Sequence, residues 1–365
     1  MGERINVTMS SMPPFEEYVE EIRSLWESRW LSNRGKKSIE FEAALREYLG
    51  VPNVWLFANG HVALEVAIQA LHLKGEVITT PYTHCSTTHA IVRNGLEPVF
   101  CDVRESDYTI NPELIEGLVT EETCAIVATH VYGFLCDVEA IEAIAKKHGL
   151  KVIYDAAHAF GVTLNGKGAG TFGDCAMFSA HATKVFHTIE GGIVAYNDAG
   201  MFNELQYLVN FGFTSHETID YVGTNARMNE FEAAMGLCNL RHLNDDIARR
   251  KVAGARYFER LEGKPGIRLF DVPEGLEWNY AYFPVVFDGS LDRDVVKAAL
   301  EVENIFARKY FYPSMDEAAC YVEQHKSDSL EVSHWASRHV LTLPMSSELT
   351  VEQVDRICDS ILRIK

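Results

Sequence analysis

The chain has 365 residues, of which 47% are hydrophobic and 23% are charged, and its formal net charge is -19. This composition excludes a largely disordered chain, and the acidic balance argues against binding to nucleic acid or to an anionic membrane. The start of the chain has no apolar segment of signal-peptide length, and the eight cysteines form no Cys-x-x-Cys pair. We therefore expect a cytoplasmic protein with reduced thiols.

The first two-thirds of the chain alternates strand-like and helix-like segments. Helices are predicted at 62–71, 87–94 and 137–148 from their periodicity and end signals. Short apolar runs predict strands at 54–57, 76–80, 98–103, 124–130, 151–154, 175–178 and 192–196. Strands joined by helical crossovers indicate an α/β fold with a mainly parallel sheet and helices on both faces. Ligands of such sheets bind beyond the carboxyl ends of the strands, so functional residues should follow the strands.

The last third of the chain has a different pattern. A long helix is predicted over 228–261, with a kink near residues 244–245, followed by a strand at 281–287 and helices at 292–303 and 351–364. We predict a large domain over residues 1–240, which includes an N-terminal arm, and a small α+β domain over residues 241–365.

Two segments that follow predicted strands have the character of a ligand site. Asn59-Gly60-His61 comes between a strand and a helix, where free amides and a glycine favour a phosphate. A plain capped turn is the alternative. In the segment 81–88, Tyr82 and His84 are candidates for a ring that stacks on a planar ligand, and the alternative is ordinary packing.

Two further strand ends carry candidate charged groups. Asp155 ends a buried strand and needs either a cation or a helix-capping role. A protonated pyridine nitrogen is one such cation. Lys184 lies among small and apolar residues, which disfavour its ammonium form and make the amine nucleophilic. Ser179, five residues earlier, has a hydroxyl that suits a phosphate. Alone, Lys184 would be interpreted as a surface charge, but the order of the four segments matches a pyridoxal 5′-phosphate (PLP) site.

The sequence resembles the DegT/DnrJ/EryC1/StrS group of sugar aminotransferases along its whole length. The most specific segment is 178–192, Phe-Ser-Ala-His-Ala-Thr-Lys-Val-Phe-His-Thr-Ile-Glu-Gly-Gly, and segments 81–84, 155–158 and 225–230 support the match. The resemblance implies the PLP-dependent fold type I, similar to aspartate aminotransferase. It also implies that Lys184 holds PLP as a Schiff base and that the cofactor passes through pyridoxamine phosphate during the cycle.

The resemblance also implies roles for the residues around Lys184. The Asn59-Gly60-His61 turn and Ser179 would bind the phosphate, and His84 would take the stacking position. Asp155 would pair with the pyridine nitrogen, and His158 would approach the ring hydroxyl. Asn225 is similar to an asparagine that reaches the phosphate of the partner subunit, which implies a homodimer with shared active sites.

The resemblance implies L-glutamate as the amino donor and a nucleotide-linked 4-keto-6-deoxyhexose as the acceptor. The form of the lysine motif looks most like that of enzymes that make dTDP-4-amino-4,6-dideoxyglucose. Candidate substrate contacts are Ser32, Asn33, His181, Arg308, Lys309 and Tyr310. The segment 308–313 is aromatic and basic, which suits a sugar diphosphate, and a packed strand end is its alternative.

Several other functions stay open at this point. They are a 3-keto sugar aminotransferase, a sugar 3-dehydratase on the same fold and a non-catalytic sensor protein. Lys184 argues against the dehydratase, whose lysine is replaced by histidine, and against the sensor. A dehydrogenase is disfavoured because Gly168-Ala-Gly-Thr-Phe-Gly173 lies between a polar turn and a strand rather than before a helix. No metal-ligand spacing is present, so no metal site is predicted.

Overall fold

The computed structural model describes residues 2–325, 327 and 329–364. The helices are α1 (Phe15–Ser28), α2 (Lys36–Leu49), α3 (Gly60–Ala70), α4 (Cys85–Arg93), α5 (Pro112–Ile115), α6 (Val138–His148), α7 (Met201–Leu208), α8 (Glu230–Leu261), α9 (Arg293–Val302), α10 (Val322–His325), α11 (Glu331–His339) and α12 (Val351–Leu362).

The strands of the central sheet are β1 (Asn53–Phe57), β2 (Glu76–Thr79), β3 (Glu97–Phe100), β4 (Thr123–Thr129), β5 (Lys151–Asp155), β8 (Cys175–Ser179) and β9 (Gly192–Tyr196). Short strands β6 (Thr163–Leu164), β7 (Lys167–Gly168) and β11 (Leu276–Glu277) form a second sheet. The third sheet contains β10 (Ile267–Arg268), β12 (Phe283–Phe287) and β13 (Val340–Leu343).

The central sheet has the order β1-β9-β8-β5-β4-β2-β3. Its pairs are parallel from β3 to β8, and β9 alone runs antiparallel to both of its neighbours. The predicted α/β fold with a mainly parallel sheet is therefore confirmed. Because β2, β4, β5 and β8 point the same way, the residues that follow them meet at one edge of the sheet.

Two helices before the sheet escaped prediction. In α1 apolar residues recur at the helical spacing 15, 18, 19, 22, 25 and 26, so the signal was present in the sequence, although only Leu25 is fully buried. In α2 the buried positions include Lys37, Ser38 and Glu42, which hide the apolar stripe. Burial of polar groups at these positions is a property of their tertiary partners, and a single sequence does not contain that information.

The long helix α8 begins at a capping box, in which the Asn229 side chain accepts hydrogen bonds from the amides of Phe231 and Glu232. It runs unbroken through residues 244–245, where a kink was predicted. It packs against α1, α2 and α12, and residue 240 of the predicted domain boundary lies inside it. The division into domains at that residue stays a prediction. In the part of the chain that the structure describes, no helix is both long and apolar enough to cross a membrane.

Glu230, the first residue of α8, holds the start of α2. Its carboxylate is fully buried and accepts hydrogen bonds from the amides of Gly35, Lys37 and Ser38, at 3.1, 2.7 and 3.3 Å. The hydroxyl of Ser38 also donates to it. A buried anion at a helix N-terminus is favourable here because every donor points at it.

We expect Glu230→Ala to lower the free energy of unfolding by about 3 kcal/mol, because the buried amides of α2 would lose their acceptor. Urea unfolding followed by circular dichroism would measure this loss. Glu262→Ala, at an exposed position just after the same helix, is the matched control and should leave the midpoint unchanged. Equal midpoints for the two variants would contradict the proposed anchoring by Glu230.

Candidate active site

A cavity of about 420 Å³ lies at the carboxyl edge of the central sheet. It is lined by eight of the nine predicted cofactor residues, Asn59, Gly60, His61, His84, Asp155, His158, Ser179 and Lys184. Strands β5 and β8 lead directly into it through Asp155 and Ser179.

Asp155 ends β5 and is buried, with 3% of its surface exposed. Its Oδ2 accepts a hydrogen bond from the Thr87 hydroxyl at 2.7 Å, and its Oδ1 accepts one from the Ala157 amide at 3.0 Å. The Thr87 hydroxyl lies 2.8 Å from that of Thr83, which contacts Thr129 at the same distance. These bonds fix the direction of the carboxylate. Both of its donors are neutral, so a cationic ligand atom would complete the site.

The start of α3 offers free backbone donors to the cavity. The Asn59 side chain caps the helix by accepting a hydrogen bond from the Val62 amide at 2.9 Å. The amides of Gly60 and His61 precede the first intrahelical hydrogen bonds. A Cβ atom on Gly60 would lie 3.0 Å from the Cβ atom of Ser179, so glycine permits the close approach of α3 to β8. Free amides and a hydroxyl at a helix start are typical of phosphate sites.

Lys184 lies in the loop between β8 and β9, and the N-terminal arm holds that loop in place. The Ser10 hydroxyl donates to the carbonyl of Ala182 at 2.6 Å. The Nε2 atom of His187 donates to the carbonyl of Ser11 at 2.5 Å. The arm thus contacts the loop on both sides of Lys184, at positions two residues before it and three residues after it.

The surroundings of Lys184 favour its uncharged amine. Burial lowers the pKa of Lys184 and the Arg308 guanidinium adds to this effect, while Tyr310 and the Asp155 carboxylate oppose it. The Nζ atom lies 5.8 Å from the centre of the Tyr282 ring. An uncharged lysine amine is nucleophilic toward a carbonyl group.

Two imidazoles stand beside Lys184. The Nδ1 atom of His158 accepts a hydrogen bond from the Tyr132 amide at 3.2 Å, so the proton of the neutral ring lies on Nε2. The Nδ1 atom of His84 accepts one from the Ser86 amide at 3.2 Å. Burial lowers the pKa of both histidines, and Lys184 would lower it further whenever it is charged, so both rings are neutral at pH 7.

Residues from the carboxyl-terminal part of the chain contribute to the wall of the cavity. Arg308 and Tyr310 line the cavity, and the Arg308 Nη1 atom donates to the Tyr310 hydroxyl at 2.6 Å. Lys309, which was also predicted to contact substrate, turns away and pairs with Asp294 at 2.7 Å. Phe311 also lines the cavity, so Lys309 is the one residue of the run 308–311 that does not.

The match to known proteins extends over the whole chain. The model of the DegT/DnrJ/EryC1/StrS aminotransferase family matches residues 15–362. The chain belongs to this family. It is 39% identical to the dTDP-4-amino-4,6-dideoxy-D-glucose transaminase of Shigella dysenteriae, with 100% of both chains covered. It is 38% identical to the Escherichia coli protein of the same name, with 98% of both covered.

A solved structure of another family member is closely similar. The crystal structure of DesI with its TDP-sugar product superposes with a TM-score of 0.94 and 32% identity, covering 99% of this chain and 92% of that chain. The predicted membership of the aminotransferase family is confirmed, and so is the fold expected from that membership.

Family resemblance places Asn225 in the site of a partner subunit, and in this chain it lies outside the cavity. Arg227 donates to Asn225 at 3.0 Å and to Asn33 at 2.5 Å, so the two asparagines lie in one exposed cluster. Ser32 is also exposed next to this cluster. Ser32, Asn33 and Asn225 are therefore not among the residues that line this cavity.

His181 lies at the rim of the cavity, where its Nε2 atom is 3.5 Å from the Glu190 carboxylate. In the described ranges, no group of three His, Cys, Asp or Glu side chains could hold a metal ion. The glycine-rich segment 168–173 follows the short antiparallel pair β6–β7 and precedes β8, as expected for a surface hairpin and turn.

Several residues of the site were missed in the sequence. Thr87 lies in the first turn of α4, and Thr83 lies two residues before that helix. Their side chains come together through the turn that leads into the helix, with the hydroxyls 2.8 Å apart. Ser10 carried no signal in the sequence, because its place depends on a contact with Ala182, far away in the chain. Phe311 lies within the segment 308–313, which was predicted to contact the sugar.

We expect Lys184 in the apoprotein to react with formaldehyde and cyanoborohydride at lower pH than the free amine of Nα-acetyl-lysine amide. The reason is the lowered pKa, which leaves more of the amine uncharged below pH 10.5. The reaction should increase with pH, and mass spectrometry of the Lys184 peptide would give its midpoint. A midpoint at or above that of the reference amine would contradict the role of burial.

Proposed function

We propose that the protein is a PLP-dependent aminotransferase that moves the amino group of L-glutamate to dTDP-4-keto-6-deoxyglucose. The products would be 2-oxoglutarate and dTDP-4-amino-4,6-dideoxyglucose. The observation that carries this proposal is the meeting of an amine of lowered pKa, a buried carboxylate and a phosphate-type helix start in one cavity.

The residues present fit the cofactor. The amides of Gly60 and His61 and the hydroxyl of Ser179 would bind its phosphate, and Asp155 would face its ring nitrogen. Lys184 would carry it covalently. When bound, PLP supplies the carbonyl group that exchanges amino groups and a ring that withdraws electrons.

The protein's own groups then handle protons and orientation. The Asp155 carboxylate, held by Thr87, would keep the ring nitrogen protonated. The Nζ atom of Lys184, released when an amino donor takes its place, would accept a proton from one carbon and return it to the next. His158 keeps its proton on Nε2 and would donate a hydrogen bond from it to the oxygen of the ring hydroxyl.

The choice of sugar rests on relatives. Two full-length relatives named for the dTDP-4-amino-4,6-dideoxy-D-glucose reaction support a 4-keto sugar and a dTDP carrier. Arg308 and Tyr310, on the side of the cavity formed by the small domain, would contact the diphosphate and the sugar, because a guanidinium pairs well with phosphate oxygens. An intact Lys184 supports transfer of an amine over dehydration, and a 3-keto sugar is the alternative acceptor.

The test combines the cofactor and the sugar. After borohydride reduction of the holoenzyme, peptide mapping should find the label on Lys184. Purified enzyme with L-glutamate should aminate dTDP-4-keto-6-deoxyglucose at C4, as NMR of the product would show, and should use the UDP-linked sugar less well. Lys184→Ala should lose at least about 10³-fold in kcat, since it lacks both the covalent link and the proton carrier.

Two outcomes would overturn the proposal. A label on another lysine would remove the assigned role of Lys184. Amination at C3 by the wild-type enzyme would replace the 4-keto sugar with the 3-keto alternative. Lys264→Ala, an exposed substitution remote from the cavity, controls for nonspecific loss of a lysine.

We also propose that the protein is a homodimer with shared sites. Large apolar side chains are exposed around the Arg227 cluster, notably Trp30, Phe211 and Val222, with 59%, 45% and 90% of their surfaces accessible. Arg227 and Asn33 bring residues 30–33 and 211–227 together. An apolar surface around a polar cluster is typical of a subunit interface.

Mixing two inactive variants tests this arrangement. Lys184→Ala and Asn225→Ala should each have little activity when assayed separately. A hybrid dimer holds one site with both residues intact, so random exchange of subunits should restore up to about a quarter of wild-type activity. Activity that stays at the sum of the two separate variants would contradict a shared site.

A pair of charge substitutions checks the surface itself. Val222→Glu should weaken self-association, as sedimentation velocity would show, because it buries a charge at the interface. Val302→Glu, at another exposed apolar position at the end of α9, is the control and should leave self-association unchanged.

A further inference from the structure

Two buried tyrosines of the large domain hold one backbone carbonyl of the small domain. Tyr82 follows β2 and Tyr132 follows β4, and neither side chain is accessible to solvent. The Tyr82 hydroxyl lies 2.8 Å from the carbonyl oxygen of Tyr310, and the Tyr132 hydroxyl donates to the same oxygen. The two hydroxyl oxygens are 2.6 Å apart. The three oxygens therefore form a closed triangle.

The triangle has more contacts than protons. Each phenol carries one proton, so two protons serve three oxygen–oxygen contacts. Burial raises the pKa of both tyrosines, which keeps these protons in place at neutral pH. Either tyrosine alone is able to donate to the carbonyl, because a carbonyl oxygen needs one donor to avoid being buried without a partner.

The carbonyl belongs to the segment that closes the cavity. Tyr310 follows Arg308 by two residues, and both side chains line the wall. Phe311, the next residue, lies parallel to the rings of Tyr132 and His158, at 6.3 and 5.8 Å between centroids. The segment is also tied to β13, where the Arg308 amide donates to the Thr342 carbonyl at 3.1 Å. On the side of β2 and β4 the segment is held at the Tyr310 carbonyl and, five residues later, by the Met315 amide, which donates to the Pro81 carbonyl at 3.0 Å.

We propose that Tyr82 and Tyr132 are redundant positioning residues that hold Arg308 and Tyr310 in the geometry for the nucleotide-linked sugar. They would not touch substrate or cofactor. This inference rests on the proposed function, since it assigns the sugar to the side of the cavity formed by Arg308 and Tyr310. Redundancy predicts that sugar binding tolerates the loss of either hydroxyl alone but not the loss of both.

The experiment compares Tyr82→Phe, Tyr132→Phe and the double variant as holoenzymes. Each single variant should keep the KM for the keto sugar within about threefold of wild type, because the other hydroxyl still serves the carbonyl. The double variant should raise that KM on the order of 30-fold, well beyond the product of the single effects. A double effect equal to that product would overturn the proposal.

A half-reaction separates positioning from general damage. Mixing each holoenzyme with L-glutamate alone, and following the visible absorbance of the cofactor, reports on Lys184 and Asp155 without the sugar. This rate should stay within about threefold in the double variant, because the clamped segment serves the sugar. If the rate of this half-reaction in the double variant fell by the same factor as the activity with the keto sugar, the proposal would be overturned.

Tyr257→Phe is the matched control. Its buried hydroxyl donates alone to the carbonyl of Pro344 at 2.9 Å, away from the cavity. This variant should lose thermal stability while its KM for the sugar stays unchanged. If the KM of Tyr257→Phe for the sugar rose as far as that of the double variant, loss of any buried hydroxyl would have this effect. The specific role of Tyr82 and Tyr132 would then be contradicted.

Crystal structures of the two single variants keep the inference testable if the double variant does not fold. If wild-type enzyme fails to react with glutamate, that result overturns the proposed function but not the inference about the two tyrosines. The crystal structures then still test the inference. The remaining hydroxyl should stay within hydrogen-bond distance of the Tyr310 carbonyl. A carbonyl that had moved out of reach of that hydroxyl would overturn the clamp.

Discussion

The site is arranged around the negative charge of Asp155. A carboxylate at the end of a buried strand is costly unless its charge is matched, and its two hydrogen-bond donors among the described residues, the Thr87 hydroxyl and the Ala157 amide, are neutral. A cationic group of a bound ligand would match the charge of this carboxylate. Lys184 presents the complementary feature, an amine whose charge is disfavoured by burial. A single ligand with a protonated ring nitrogen and an aldehyde would satisfy both groups at once.

Much of this arrangement could be predicted from the sequence, because the strands of an α/β sheet deliver the residues that follow them to one edge. Asp155, Ser179 and the turn before α3 are local features of that kind. The residues that could not be predicted act through distant partners. Lys309 lies between two cavity residues, and only the backbone geometry of the small domain shows that it points away. In α2, the polar residues Lys37 and Glu42 occupy buried positions and interrupt the apolar stripe that would have predicted a helix.

The segment around α11 is held against the end of β3 by polar contacts. Asp102, just beyond β3, accepts hydrogen bonds from the amides of Val332 and Ser333 at the start of α11, at 2.9 and 2.8 Å. Together with the two tyrosines at the Tyr310 carbonyl, this ties the carboxyl-terminal part of the chain to residues that follow β2, β3 and β4. Directional bonds specify such a register better than apolar contact does, because their geometry tolerates little displacement.

The N-terminal arm has a consequence for the order in which the molecule is completed. Before it reaches the lysine loop through Ser10, the arm pairs Ile5 with Asn304 and Phe306, and Val7 with Met345. Those partners are more than 290 residues away in the chain, so the arm finds its place only after residues 304–345 have been synthesised. The contacts of Ser10 and Ser11 with the loop that carries Lys184 would thus be among the last to form. Until the carboxyl-terminal part had folded, that loop would rely on its own hydrogen bonds, such as the one from the Ala182 amide to the Ile189 carbonyl at 2.7 Å.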